Sequence, residues 1–162
     1  MSRLDSAIRR LTAQRACLDL AARLIADLPG PVLELGLGNG RSYDHLRACL
    51  PDREIFVFDR QVAAHPDCIP DPDHLILGDF HATLPAAATW LTGRAALAHA
   101  DFGSGDRAAT AALAAFLGPA IGRLMAPGGI VASDQPLAAP GLTGLPPPEG
   151  APAGRYFLYR AA

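Results

Sequence analysis

Four acids, Glu34, Asp59, Asp79 and Asp101, stand within or at the end of short apolar runs, and the first of them lies beside alternating glycines. Residues 31–44 read PVLELGLGNGRSYD. Pro31 to Leu35 has the apolar run of a buried strand, and it breaks at once into Gly36, Gly38 and Gly40. A strand that stops in glycines and restarts as a helix is the geometry that cradles a nucleotide. Glycine lacks a Cβ, so the amides of Gly36, Leu37, Gly38, Asn39 and Gly40 can come close to a ligand. The helix over 42–49 would aim its free N–H groups and the positive end of its dipole at an anionic group. A glycine turn without any ligand is the plainer alternative, which the downstream spacing has to decide.

That spacing supports a nucleoside. Asp59 ends a second strand, Glu54–Phe58, about twenty residues beyond the glycines, where such folds hold a ribose diol. A carboxylate can accept from both hydroxyls at once; the alternative is a solvated strand end. Arg60 is placed either to stack on a base or to face water. Ligands in open α/β sheets sit outside the carboxyl ends of the strands. Asp101, at the end of a strand over 95–100, therefore points into the same crevice as Gly36.

The elements that must position these acids follow from periodicity. Ser2–Leu28 carries Leu4, Ile8, Leu11, Leu18, Ala22 and Ile25 at three- and four-residue intervals, an amphipathic helix ended by Pro29-Gly30-Pro31. It covers one sheet face, or serves as a lid or subunit contact. Residues 62–72 are broken by Pro66, Pro70 and Pro72. His74–Leu77 gives a third strand closed by Gly78-Asp79-Phe80, Leu84–Leu91 a helix, Leu113–Met125 a longer helix, and Ile130–Ala132 a fifth strand. Residues 136–154 are dense in proline and glycine, a lid or a linker. Residues 155–160 alternate as an edge strand.

The spacing also separates cofactors. A dinucleotide fold wants G-x-G-x-x-G, but Arg41 holds the place of the third glycine. What stands is Glu34-Leu35-Gly36-Leu37-Gly38-Asn39-Gly40, followed by Leu124-Met125-Ala126-Pro127-Gly128-Gly129 before the fifth strand. This set resembles the class I, Rossmann-like S-adenosylmethionine-dependent methyltransferases over roughly residues 31–135. The resemblance implies an α/β, three-layer fold, a mostly parallel sheet with helices on both faces, in a single domain spanning 1–162. Here the C-terminal edge looks truncated, since one convincing strand remains where the family has a helix and a hairpin. The resemblance implies S-adenosylmethionine as cofactor and its demethylated form as product. It assigns Glu34 and the glycine-loop amides to the methionine part, with Arg41 or Ser42 on its carboxylate. Asp59 takes the ribose, Gly78, Asp79 and Phe80 the adenine, and Asp101 with Phe102 the amine side.

Composition narrows the partners. The 162 residues are half apolar and about a fifth charged, with a formal net charge of −2. With no basic run, neither a nucleic-acid groove nor an anionic membrane surface is suggested. All fourteen basic residues are arginine, which removes Schiff-base and P-loop lysine chemistry. Cys17, Cys49 and Cys68 are odd in number and widely spaced, the usage of reduced thiols in a cytoplasmic protein. No signal peptide or membrane-spanning run is evident.

No acceptor signature appears at the fourth strand, where Asp101-Phe102-Gly103 stands, so a small-molecule oxygen, nitrogen or carbon is the expected acceptor. His99 and Asp101 are the candidate general bases, of which one is expected at the crevice mouth. A divalent metal between Asp101 and Asp134 is weakly suggested, and no metal ligand is assigned. With few acceptor-binding insertions, a homo-oligomer is expected to complete the crevice wall. The competing readings are a protein that binds the cofactor without turnover and, less favoured, an NAD(P)-dependent reductase.

Overall fold

A computed structural model describes residues 1–162. The elements run α1 (Arg3–Leu24), β1 (Val32–Leu35), α2 (Arg41–Cys49), β2 (Ile55–Asp59), β3 (Leu75–Leu77), α3 (Phe80–Leu91), β4 (Ala95–Ala100), α4 (Arg107–Leu124), β5 (Met125–Ser133), β6 (Leu142–Leu145) and β7 (Phe157–Ala161). Short 3₁₀ turns at Pro66–Cys68 and Pro72–His74 occupy the proline-broken stretch before β3. The seven strands form one sheet in the order β3-β2-β1-β4-β5-β7-β6. The first five are parallel and β7 runs antiparallel to both its neighbours.

Alternation along the strands divides the core in two. Val32 and Leu97 pack with Cys17, Leu18 and Ala21 of α1 and Leu46 of α2. Leu33, Leu35 and Ala98 pack on the other face with Leu84 and Leu91 of α3 and Leu117 and Ile121 of α4. Two helices on each face of a mostly parallel sheet make the three layers that the sequence predicts. Helix α1 begins in a capping box, Ser2 accepting from the Asp5 amide while the Asp5 carboxylate accepts from that of Ser2.

Three departures have physical causes. The expectation of a truncated edge is corrected: the sheet has its seven strands, and Leu142–Leu145 supplies the missing one from within the proline- and glycine-rich segment. What is absent is a helix between β5 and β6. Residues 137–139 lie instead against α4, where a Cβ on Gly118 would fall 2.4 Å from the Ala138 carbonyl oxygen. Helices α3 and α4 begin four and six residues earlier than predicted, at the N-caps Asp79 and Asp106, and both carry an internal proline, Pro85 and Pro119. Finally, Pro127-Gly128-Gly129 does not precede β5 but forms an irregularity inside it, between the Ala95–Met125 and Leu97–Ile130 pairs.

Candidate cofactor-binding site

The carboxyl ends of β1 and β4 open on a cavity of about 210 Å³, floored by the glycine loop and Asp101 and roofed by Arg10 and Gln14 of α1. The three loop glycines are all left-handed, at φ +95° for Gly36, +53° for Gly38 and +87° for Gly40, so each suits a residue without a Cβ. Their surroundings differ. A Cβ on Gly36 would lie 2.8 Å from the Asp101 carbonyl oxygen, and one on Gly40 would lie 2.4 Å from Cys68 Cβ. A Cβ on Gly38 would meet nothing within 4 Å. Gly36 and Gly40 thus permit chain to pass chain, whereas Gly38 faces open space. Gly40 is the N-cap of α2 and offers no side chain; the loop amides are held within the protein, that of Gly36 by the Phe58 carbonyl, those of Leu37 and Gly38 by Asp59, and that of Gly40 by the Leu37 carbonyl.

Asp59, at the tip of β2, reaches this loop. Its Oδ2 accepts from the Leu37 amide at 2.8 Å and the Gly38 amide at 3.3 Å, and its Oδ1 accepts from the Arg60 amide at 2.6 Å. Asp79, at the tip of β3, caps α3 by accepting from the His81 amide at 2.8 Å and pairs with the exposed Arg60 guanidinium at 3.1 Å. The His81 amide and ring hold the Asp79 carboxyl below its ordinary value. Gly78, at φ +147°, makes the turn between strand and cap, and the half-buried Phe80 packs against the α3/α4 core.

Beneath the crevice runs a buried polar chain. Glu34 on β1 and His99 on β4 are paired across the ladder and neither side chain has any exposed surface. His99 Nδ1 lies 2.9 Å and 3.0 Å from the two Glu34 oxygens, the Ser42 hydroxyl donates to Glu34 Oε1 at 2.7 Å, and His99 Nε2 shares a 2.5 Å hydrogen bond with the Tyr156 hydroxyl. Gln14 Nε2 then donates to Tyr156 at 2.9 Å and to Asp101 Oδ2 at 3.0 Å. Burial disfavours a charged His99, but Glu34, joined by Asp101 and Asp134, outweighs it and holds the ring above its ordinary value. Burial, assisted by the Asp101 charge, pushes the Tyr156 hydroxyl up, so it stays neutral at working pH.

The crevice therefore gathers Gly36, Leu37, Gly38, Asn39, Arg41, Ser42 and Asp101 directly, with Asp59 on the loop's far side. Of the two candidate bases, Asp101 is the one at the crevice mouth; His99 lies one rung deeper on the same face, enclosed by Glu34 and Tyr156. One expectation needs correction: Glu34 is likewise sealed, and it meets α2 through the Ser42 hydroxyl. Asp134 is occupied in holding the β4 exit, accepting from the Phe102 amide at 3.0 Å and the Gly103 amide at 2.9 Å. The Asp101 carboxylate turns instead to Gln14 and, at 3.5 Å, to Arg10. Arg10, Gln14 and Tyr156 are the residues that sequence reasoning missed. Gln14, facing inward from an apolar helix stripe between Ala13 and Cys17, was the one available signal.

A glycine loop bordering the cavity, with acids at the tips of β2, β3 and β4, suits a sulfonium nucleoside. Comparisons agree with that chemistry. A family described as S-adenosyl-L-methionine methyltransferase matches residues 1–161. The chain is 47% identical to an S-adenosyl-L-methionine methyl transferase from Silicibacter pomeroyi DSS-3, with a TM-score of 0.96 over 100% of this chain and 99% of that one. The antibiotic-resistance methyltransferase Kmr, at 17% identity, superposes with a TM-score of 0.52 over 91% of this chain and 93% of its own. CmcI, at 18% identity, does so with 0.56 over 92% and 70%. These two show the fold alone. No curated protein sequence matches the chain. On the crevice and on the match over its whole length, this chain belongs to the S-adenosyl-L-methionine methyltransferase family.

Proposed function

We propose that this S-adenosylmethionine-dependent methyltransferase acts on a small-molecule acceptor held over the tips of β4 and β5. The observation that supports it best is the cavity of about 660 Å³ beside those tips, lined by Ser104, Arg107, Thr110, Gln135 and small alanines. It is of the size that encloses a small ligand. The sequence has no basic run of the kind that tracks a phosphate backbone. Arg107 favours an acceptor carrying an acidic or electron-rich group.

In this reading Asp59 holds the ribose hydroxyls, and Asp79, Gly78 and Phe80 with Arg60 border the adenine. The loop over residues 36–40, with Arg41 and Ser42, borders the methionine carboxylate, and Asp101 with Phe102 lies on its amine side. Glu34 acts as a positioning residue, fixing the loop through Ser42. The bound cofactor supplies an electrophilic methyl on a sulfonium. The protein's part is to align and desolvate, and orientation alone can supply several kcal/mol of a displacement barrier. Asp101 is the sole carboxylate at the mouth, and its bonds to Gln14 and Arg10 suit binding better than proton abstraction.

A radiolabelled methyl donor tested against a metabolite panel and, separately, against ribosomal RNA and protein fractions checks this reading. Label passing to a small molecule, with competition by S-adenosylhomocysteine, is the expected result. Label passing only to RNA or protein would overturn it.

A further inference from the structure

Helices α1 and α2 cross at a point where three unlike side chains converge, none of them lining the cofactor cavity itself. Asp19 comes from α1, while His45 and Cys49 come from α2, four residues apart and so on one helix face. His45 Nε2 lies 2.7 Å from Asp19 Oδ1 and 3.5 Å from Cys49 Sγ, and that sulfur lies 3.8 Å from the same oxygen. One oxygen, one nitrogen and one sulfur thus lie within 4.8 Å of one another. Leu18 and Leu46, next in sequence to Asp19 and His45, are fully buried in a common core cluster, so the two helices hold this arrangement by packing.

A nucleophilic relay is one use of such a trio, but it requires thiol and carboxylate on opposite ring nitrogens. Here both face Nε2, so the ring cannot pass a proton between them. Donor atoms focused on one point are what a cation requires. Asp19 has no arginine in ion-pair range, its one ionic partner being His45.

We propose that Asp19, His45 and Cys49 form a binding site for a divalent cation of the zinc class, with water in the fourth position. A mixed oxygen, nitrogen and sulfur set suits zinc, while magnesium and calcium want oxygen alone. Tetrahedral zinc at the usual bond lengths separates its ligand atoms by about 3.3–3.6 Å. The two sulfur contacts already lie near that spacing, and the His45–Asp19 pair must open by about 0.6 Å. Binding releases the Cys49 thiol proton to solvent. The cation would clasp α1, which roofs the crevice through Arg10 and Gln14, to the helix that follows the glycine loop. The site holds whatever the acceptor proves to be.

Cobalt titrated into the full chain after chelator treatment tests this. One equivalent should produce a thiolate-to-cobalt charge-transfer band and tetrahedral visible bands, both displaced by zinc. Cys49→Ser should lose the charge-transfer band, and Asp19→Asn and His45→Gln should each weaken cobalt binding by at least about tenfold, the loss that even outer partners of a metal site cause. Cys68→Ser should keep the full spectrum. Far-ultraviolet dichroism and S-adenosylhomocysteine binding establish that each variant is folded. No band in the unmodified chain, or a band that survives Cys49→Ser, would overturn the proposal.

Discussion

His99 and Glu34 face each other across the β1–β4 ladder with Nδ1 2.9 Å from Oε1, and no part of either side chain reaches solvent. Each occupies a strand position whose neighbours on that face, Val32 and Leu97, are apolar core. The pair is therefore an ionic inclusion in a hydrophobic layer, tolerated because every polar atom in it has a partner. Removing one member leaves the other stranded, which typically costs about 3–5 kcal/mol. His99→Leu should show a loss of that order in urea unfolding, and adding Glu34→Gln should recover part of it. A single variant within about 1 kcal/mol of the parent, the range of an ordinary hydrogen bond, would refute the coupling.

The same pair makes stability depend on pH. His99 is held above its ordinary value in the folded chain, so the folded state binds its proton more tightly than the unfolded one. That stabilisation is fully present below the unfolded value of 6.5 and is lost as pH rises through the folded-state value. Unfolding free energy measured from pH 6 upward should decline in the parent more steeply than in His99→Leu. Parallel slopes would contradict the assignment.

Gly38 and Gly40 should respond differently to the same change. Gly38→Ala meets open space and bears only the left-handed backbone cost of about 1–2 kcal/mol, but it lies in the loop that borders the crevice. Gly40→Ala bears that cost and collides with Cys68, adding overpacking of about 1–3 kcal/mol. Thermal melts should rank Gly40→Ala below Gly38→Ala. Calorimetry with S-adenosylhomocysteine should show lost affinity in Gly38→Ala while its fold persists.

Asp59 anchors two loop amides and, in our reading, the ribose. Losing charged hydrogen bonds of about 1.5–3 kcal/mol corresponds to roughly ten- to more than a hundredfold in affinity. Asp59→Ala should weaken S-adenosylhomocysteine by that factor in titration calorimetry; an effect under about twofold, a small fraction of one such bond, would remove Asp59 from the site.

The strand-tip acids were legible because each lies beside its own local signal: glycines after Glu34, and a run of apolar residues before Asp59, Asp79 and Asp101. Arg10, Gln14 and Tyr156 were not. Gln14 meets Asp101 and Tyr156 across sequence separations of 87 and 142 residues, and no local pattern encodes such a meeting. Strand β6 was hidden for a different reason. Thr143 and Gly144 give it no clear alternation, and its pairing with β7 supplies what its own composition lacks. Helices α3 and α4 were underestimated at their starts, where the capping acids Asp79 and Asp106 open each helix several residues before its apolar run. The burial of Glu34 and His99 was not legible, since alternation fixes a face and not a depth.

Strand β7 lies between β5 and β6, although β6 precedes it in sequence. Strand β6 therefore cannot join the sheet until β7, a dozen residues later in the chain, has arrived to pair with it. Its glycine, threonine and flanking prolines then acquire a purpose apart from packing: they keep an orphaned edge from recruiting another chain before its own partner arrives.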